Sequence, residues 1–180
     1  HLLADTFERI FFHGMSLGSL PTRPALCVNT TILNSGQVGK FSREGFSAWG
    51  ISVPDSQPAH MVPWTTFPVA RAVAASAAFP IGLPPLTLRA SDLPEGSRLS
   101  GALTGARAIH LTDGGVLENL GVQTLIKSQR FSCWDLIVSD AGTWEEPWRD
   151  RGILGSLRGL GVWLLGGRIL DRLLTIMNDK

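Results

Sequence analysis

Residues 108–121 read Ala-Ile-His-Leu-Thr-Asp-Gly-Gly-Val-Leu-Glu-Asn-Leu-Gly, and the class of the fold turns on this stretch. An apolar run reaches an acid at Asp113, turns on Gly114 and Gly115, and then takes up a helical pattern. The pattern predicts a buried strand over 107–112 with Asp113 at its carboxyl end. Open α/β sheets place their ligand sites at that end of their strands. Asp113 is therefore the first candidate for chemistry. Asp-Gly is also a common turn dipeptide, but a hairpin does not fit, because a helical pattern rather than a second strand follows.

Downstream, the spacing predicts a helix over about 117–129 and a strand over 135–139, ending on a second acid, Asp140. Strand, helix, strand at this spacing is a βαβ unit, which predicts an α/β fold with a parallel sheet. Upstream, 25–31 reads as a buried strand with Asn34-Ser35-Gly36 as its turn, and 38–53 as one or two further strands. Residues 54–63 read as loop. The alanine-rich stretch 68–78 predicts a helix that starts on Pro68, where a missing N–H costs nothing. Its small side chains suit close packing. Residues 91–106 read as an exposed loop or lid, and 2–12 as a helix with Leu2, Leu3, Phe7, Ile10 and Phe11 on one face.

A chain of 180 residues with 44% apolar and 17% charged side chains is expected to form one globular domain, burying roughly two-thirds of its unfolded surface. A net charge of +1 argues against a nucleic-acid partner, which needs a strongly basic face. No apolar run approaches the roughly 18 residues of a membrane span. Residues 151–180 are Leu-rich, with five cations against Asp171 and Asp179, a local charge of +3. On one helix those cations share an arc of about 120°. Such a stripe suits a membrane surface, although a core-packing helix with a solvated edge fits better, and the glycines at 155, 159, 161, 166 and 167 interrupt it.

Cys27 and Cys133 both fall in apolar runs and read as buried core thiols. Four scattered histidines give no metal-ligand spacing, so neither metal nor cofactor is expected. His110 falls on the same side of its strand as Thr112, away from Asp113, and no histidine follows it to complete a Ser-His-Asp order. Gly14-Met15-Ser16-Leu17-Gly18 fits the nucleophile-elbow pattern. The elbow needs a strand before it and a helix after it; a helical stretch precedes Ser16 and Pro21 and Pro24 follow, so Ser16 reads as a decoy. Asp140 reads as lining the site or fixing its loop, Asn119 as capping the turn, and Ser76 as structural. Trp144 and Trp148 suit an apolar pocket or plain core packing.

The segment from Asp113 to Gly121 resembles the aspartate motif of the patatin-like phospholipases. Residues 29–36, 70–85 and 137–142 resemble that family's neighbouring segments in order and spacing. The resemblance implies a three-layer α/β/α sandwich around a mostly parallel sheet, incomplete here at its amino-terminal side. It implies a phospholipase or lysophospholipase working through a Ser-Asp dyad and an acyl-enzyme, with Asp113 as general base. The nucleophilic serine and the oxyanion loop are expected upstream of His1, in a longer protein of which this is a piece, so that the chain alone is silent. The implied partner is a phospholipid or other acyl-ester lipid, met in the cytoplasm or at a membrane periphery. Two other classes compete: an inactive relative binding lipid or a partner, and a small-ligand domain using Asp113 and Asp140 as contacts.

Overall fold

The computed structural model describes residues 1–54, 60–80, 82–117, 120–122 and 137. Two compact units divide the chain, His1–Leu117 and Glu118–Lys180, and nearly all described residues belong to the first. Apart from residues 117, 120–122 and 137, the helix expected over 117–129 and the strand over 135–139 lie outside the described residues, as do Asn119, Cys133, Asp140, Trp144, Trp148 and the segment 151–180.

Among its described residues the first unit has eight strands and two α-helices, joined by short 3-10 and π turns: β1 (Cys27–Ile32), β2 (Gln37–Ser42), β3 (Gly45–Ala48), β4 (Ile51–Ser52), β5 (Met61–Val62), β6 (Leu86–Arg89), β7 (Arg98–Leu99), β8 (Ala108–Asp113), α1 (Leu2–Phe7) and α2 (Val69–Ser76). Six strands form one sheet in the order β5-β3-β2-β1-β8-β6. Every pairing in it is antiparallel. The expected α/β/α sandwich around a mostly parallel sheet is therefore overturned. The cause is local connection. Turns 33–36 and 43–44 join β1, β2 and β3 too tightly for the crossover that parallel neighbours require. β8 lies between β1 and β6, antiparallel to both.

The large apolar side chains of the sheet gather on one face. Registers Val28↔Phe41, Phe41↔Phe46, Ile32↔Leu111, Leu86↔Leu111 and Leu88↔Ile109 align the apolar residues on one face. Phe41 is fully buried there, its ring 4.5 Å from Phe46 and stacked 5.0 Å from Phe67. The other face carries Cys27, Asn29, Thr31, Lys40, His110 and Thr112, of which Thr31 and Thr112 are buried and Cys27 and His110 exposed. Cys27 is consequently exposed, not the buried thiol its apolar neighbours suggested: alternation turns it away from Phe41.

α2 lays Val69, Ala72 and Ala75 against the same core. Buried Ala70 and Ala74 show why the helix is built of small residues: it is packed on more than one side. Residues 2–12 are helical as expected, α1 widening into a π turn over Glu8–Phe12 that ends where His13 and Gly14 take positive φ. Only Ala4 of this stretch is buried. Residues 91–106 are also more than an exposed loop: β7 pairs with β4, and Leu103 is buried in the core with Ile51.

A Phe41→Ala substitution should lower stability by about 3–5 kcal/mol, read from the urea midpoint at unchanged m-value. Cys27 should titrate with Ellman's reagent without denaturant, and Cys27→Ser should remove that reactivity.

Candidate functional site

β8 delivers Asp113 to the edge of the core. Asp113 is the last strand residue and the N-cap of a 3-10 turn over Gly114–Val116, its Oδ1 accepting the Gly115 N–H at 2.6 Å. This is how short acidic side chains start tight helical turns. The side chain is half-buried, and among the described residues nothing bonds Oδ2.

The backbone around Asp113 is held by one carbonyl. Ala78, just beyond α2, accepts the Asp113 N–H at 3.1 Å and the Thr112 hydroxyl at 2.6 Å. On the other flank, the buried Thr30 hydroxyl donates to the Thr112 carbonyl at 2.6 Å. Thr30 faces Asp113 in the β1–β8 register. Thus β1, β8 and the exit of α2 meet at Thr112, and the carboxylate leaves from the next residue. Asn34 continues the ladder where β1 ends, its Oδ1 accepting from His110 N–H at 2.8 Å and its Nδ2 donating to Ala108 O at 3.1 Å.

Gly114 is required by space. A methyl group there would sit 2.8 Å from the Asn29 carbonyl oxygen, closer than a carbon can approach without displacement. The first glycine lets the turn lie flat on β1, and its φ is not in the positive region.

Ser16 is no elbow. It lies on an extended segment (φ −104°, ψ 162°) bridged to Pro68, after a helix and before a 3-10 turn of three residues. Gly18 serves this bridge, its amide donating to Thr65 O at 2.7 Å. His110 is exposed, with Nδ1 3.2 Å from the Thr87 hydroxyl, on the face opposite the core. Ser76 is the last residue of α2 and is half-buried. Among the described residues no three His, Cys, Asp or Glu side chains gather to hold a metal ion, and no helix is long and apolar enough to cross a membrane.

Thr112, Thr30 and Ala78 are the positioning residues that sequence reasoning missed. The only signal for them was a threonine directly before the strand-end acid. No family model, curated protein or solved structure matches the chain.

Thr112→Val should cost about 1 kcal/mol and speed hydrogen exchange at the Asp113 amide, while Thr112→Ser should restore both.

Proposed function

We propose that this chain carries the general base of a lipid acyl hydrolase, Asp113, acting on a serine outside the described residues. The observation that supports it is the state of the Asp113 carboxylate. Its backbone is fixed on two sides, one oxygen is spent on the Gly115 N–H, and the other is free of protein partners among the described residues. The sequence resemblance of this turn and its three companion segments to the patatin-like phospholipases supplies the reaction class. The reading stands on residues and not on the sheet, since chemistry is a property of sites and not of folds.

In this reaction the serine hydroxyl attacks the ester carbonyl as its proton passes to the free oxygen of Asp113. The tetrahedral intermediate collapses, and the leaving alcohol takes that proton back. Water then attacks the acyl-enzyme, giving its proton to Asp113, which returns it to the serine as the fatty acid departs. Because Oδ1 is tied to its own turn, the aspartate receives and returns the proton without swinging.

Asp113→Asn keeps the amide oxygen as N-cap and removes only the base. In the protein that contains the serine, it should lower hydrolysis of p-nitrophenyl esters by about 10²–10⁴-fold with the urea midpoint unchanged. Asp113→Ala should lose the same activity and also about 0.5–2 kcal/mol from the missing cap. Undiminished hydrolysis in Asp113→Asn overturns the assignment. Lipid binding without turnover or fluorophosphonate labelling of any serine identifies an inactive binding relative instead.

A further inference from the structure

On the face of the sheet turned away from Phe41, three polar side chains stand together without partners among the described residues. Asn29 and Thr31 are alternate residues of β1, and Lys40 of β2 lies directly across from Asn29. Side chains opposed in this way have Cβ atoms about 5 Å apart, and the diagonal from Lys40 to Thr31 is within a long side chain's reach. Depth increases along the face: Cys27 is exposed, Asn29 and Lys40 are half-buried, and Thr31 is 0% exposed. The Asn29 Oδ1 and the Thr31 hydroxyl are buried and unbonded. Lys40 has no acid beside it, since the ion pair among the described residues joins the His1 ammonium to Asp5. Nearby side chains of the same chemistry differ. Thr30 and Thr112 each donate to a carbonyl, and Asn34 bonds through both ends of its amide.

A buried polar group left unbonded costs stability, so neighbouring ones in a single strand call for a partner from outside the fold. We infer that Lys40, Asn29 and Thr31 form a subsite for a phosphate-bearing ligand beside the turn that carries Asp113. The turn fixes that placement. A methyl group on Gly114 would meet the Asn29 carbonyl oxygen at 2.8 Å and the Asn29 Cβ at 3.3 Å. The charge and the donor count select the ligand. An ammonium without an acid attracts an anion, and its three N–H groups can serve the Asn29 Oδ1 as well as the ligand. The Asn29 Nδ2 and the Thr31 hydroxyl add donors from two further directions. Donors spread in this way suit a tetrahedral oxyanion better than a planar carboxylate, and charge-assisted bonds to it are the strong ones. The inference rests on the hydrolase reading only for the source of the phosphate, a lipid headgroup or free phosphate.

Calorimetric titration of the intact chain at low salt, with glycerophosphocholine and with inorganic phosphate, tests the inference. At least one probe should bind, shift the Asn29 side-chain amide resonances, and bind more weakly as salt rises. Tighter binding of glycerophosphocholine assigns the subsite to a lipid headgroup, and tighter binding of inorganic phosphate assigns it to free phosphate. Lys40→Met should weaken binding by about tenfold or more, while Lys40→Arg should retain it. Thr31→Val should also weaken binding, yet its urea midpoint should hold or rise, because the hydroxyl it removes is unbonded in the free protein. Asp113→Asn should bind unchanged, so a failure of the hydrolase assignment leaves this result intact. Absence of binding by both probes, or binding indifferent to the Lys40→Met and Thr31→Val substitutions, overturns the inference. So does equal competition by acetate, which marks a bare charge, or a midpoint lowered by Thr31→Val, which assigns the hydroxyl to the fold itself.

Discussion

The carbonyl oxygen of Ala78 is the point on which the arrangement around Asp113 depends. A carbonyl has two lone pairs, and here both are used by neighbours in one strand, the Thr112 hydroxyl and the Asp113 amide. α2 thereby meets β8 in a fixed register, and Thr30 ties the far side of Thr112 to β1. None of these bonds touches the carboxylate. They fix the backbone from which it projects, so the aspartate needs only its own turn to hold its oxygen.

The apolar face of the sheet and the alanine helix serve the same end. Large side chains on the core face, with Phe41 at the middle of a ring cluster, leave room for a helix only if its own side chains are small. α2 supplies them and so approaches closely enough for its exit to bond β8 directly. Gly114 completes the fit from the other side by letting the turn press on Asn29. This packing fixes the backbone that carries Asp113, whose Oδ2 has no partner among the described residues, and that setting is what the proposed general-base role rests on.

Local features were legible in the sequence and non-local ones were not. The helices, β1 with its turn, and β8 with Asp113 at its end all carry signals within a dozen residues: periodicity, a starting proline, an Asp-Gly pair. Strand direction carries no such signal. β8 takes its neighbours from earlier in the chain, and the pairing of β8 with β6 and β1 decided against a parallel sheet. Cys27 shows the same limit on a smaller scale. Its run is apolar, but the register places it one step out of phase with Phe41, and one step in a strand is the whole difference between core and surface. The apolar face of 2–12 was visible, while its exposure was not, because nothing local says what a face packs against. The Thr112–Ala78 bond joins residues 34 apart and left no trace in either neighbourhood.

The order in which the parts assemble follows from the sheet's connectivity. β1, β2 and β3 are joined by tight turns and close with little loss of chain entropy, within the first 48 residues. The bond between Thr30 and Thr112 closes a loop of 82 residues, and such contacts form slowly because the entropy of closure precedes their reward. A chain growing from its amino terminus completes the meander well before β8 exists to slide in beside β1. The carboxylate's setting is thus the last part of the sheet to be made. A partly folded chain is a scaffold on which Asp113 is not yet positioned, so the setting of that carboxylate reports on the finished sheet.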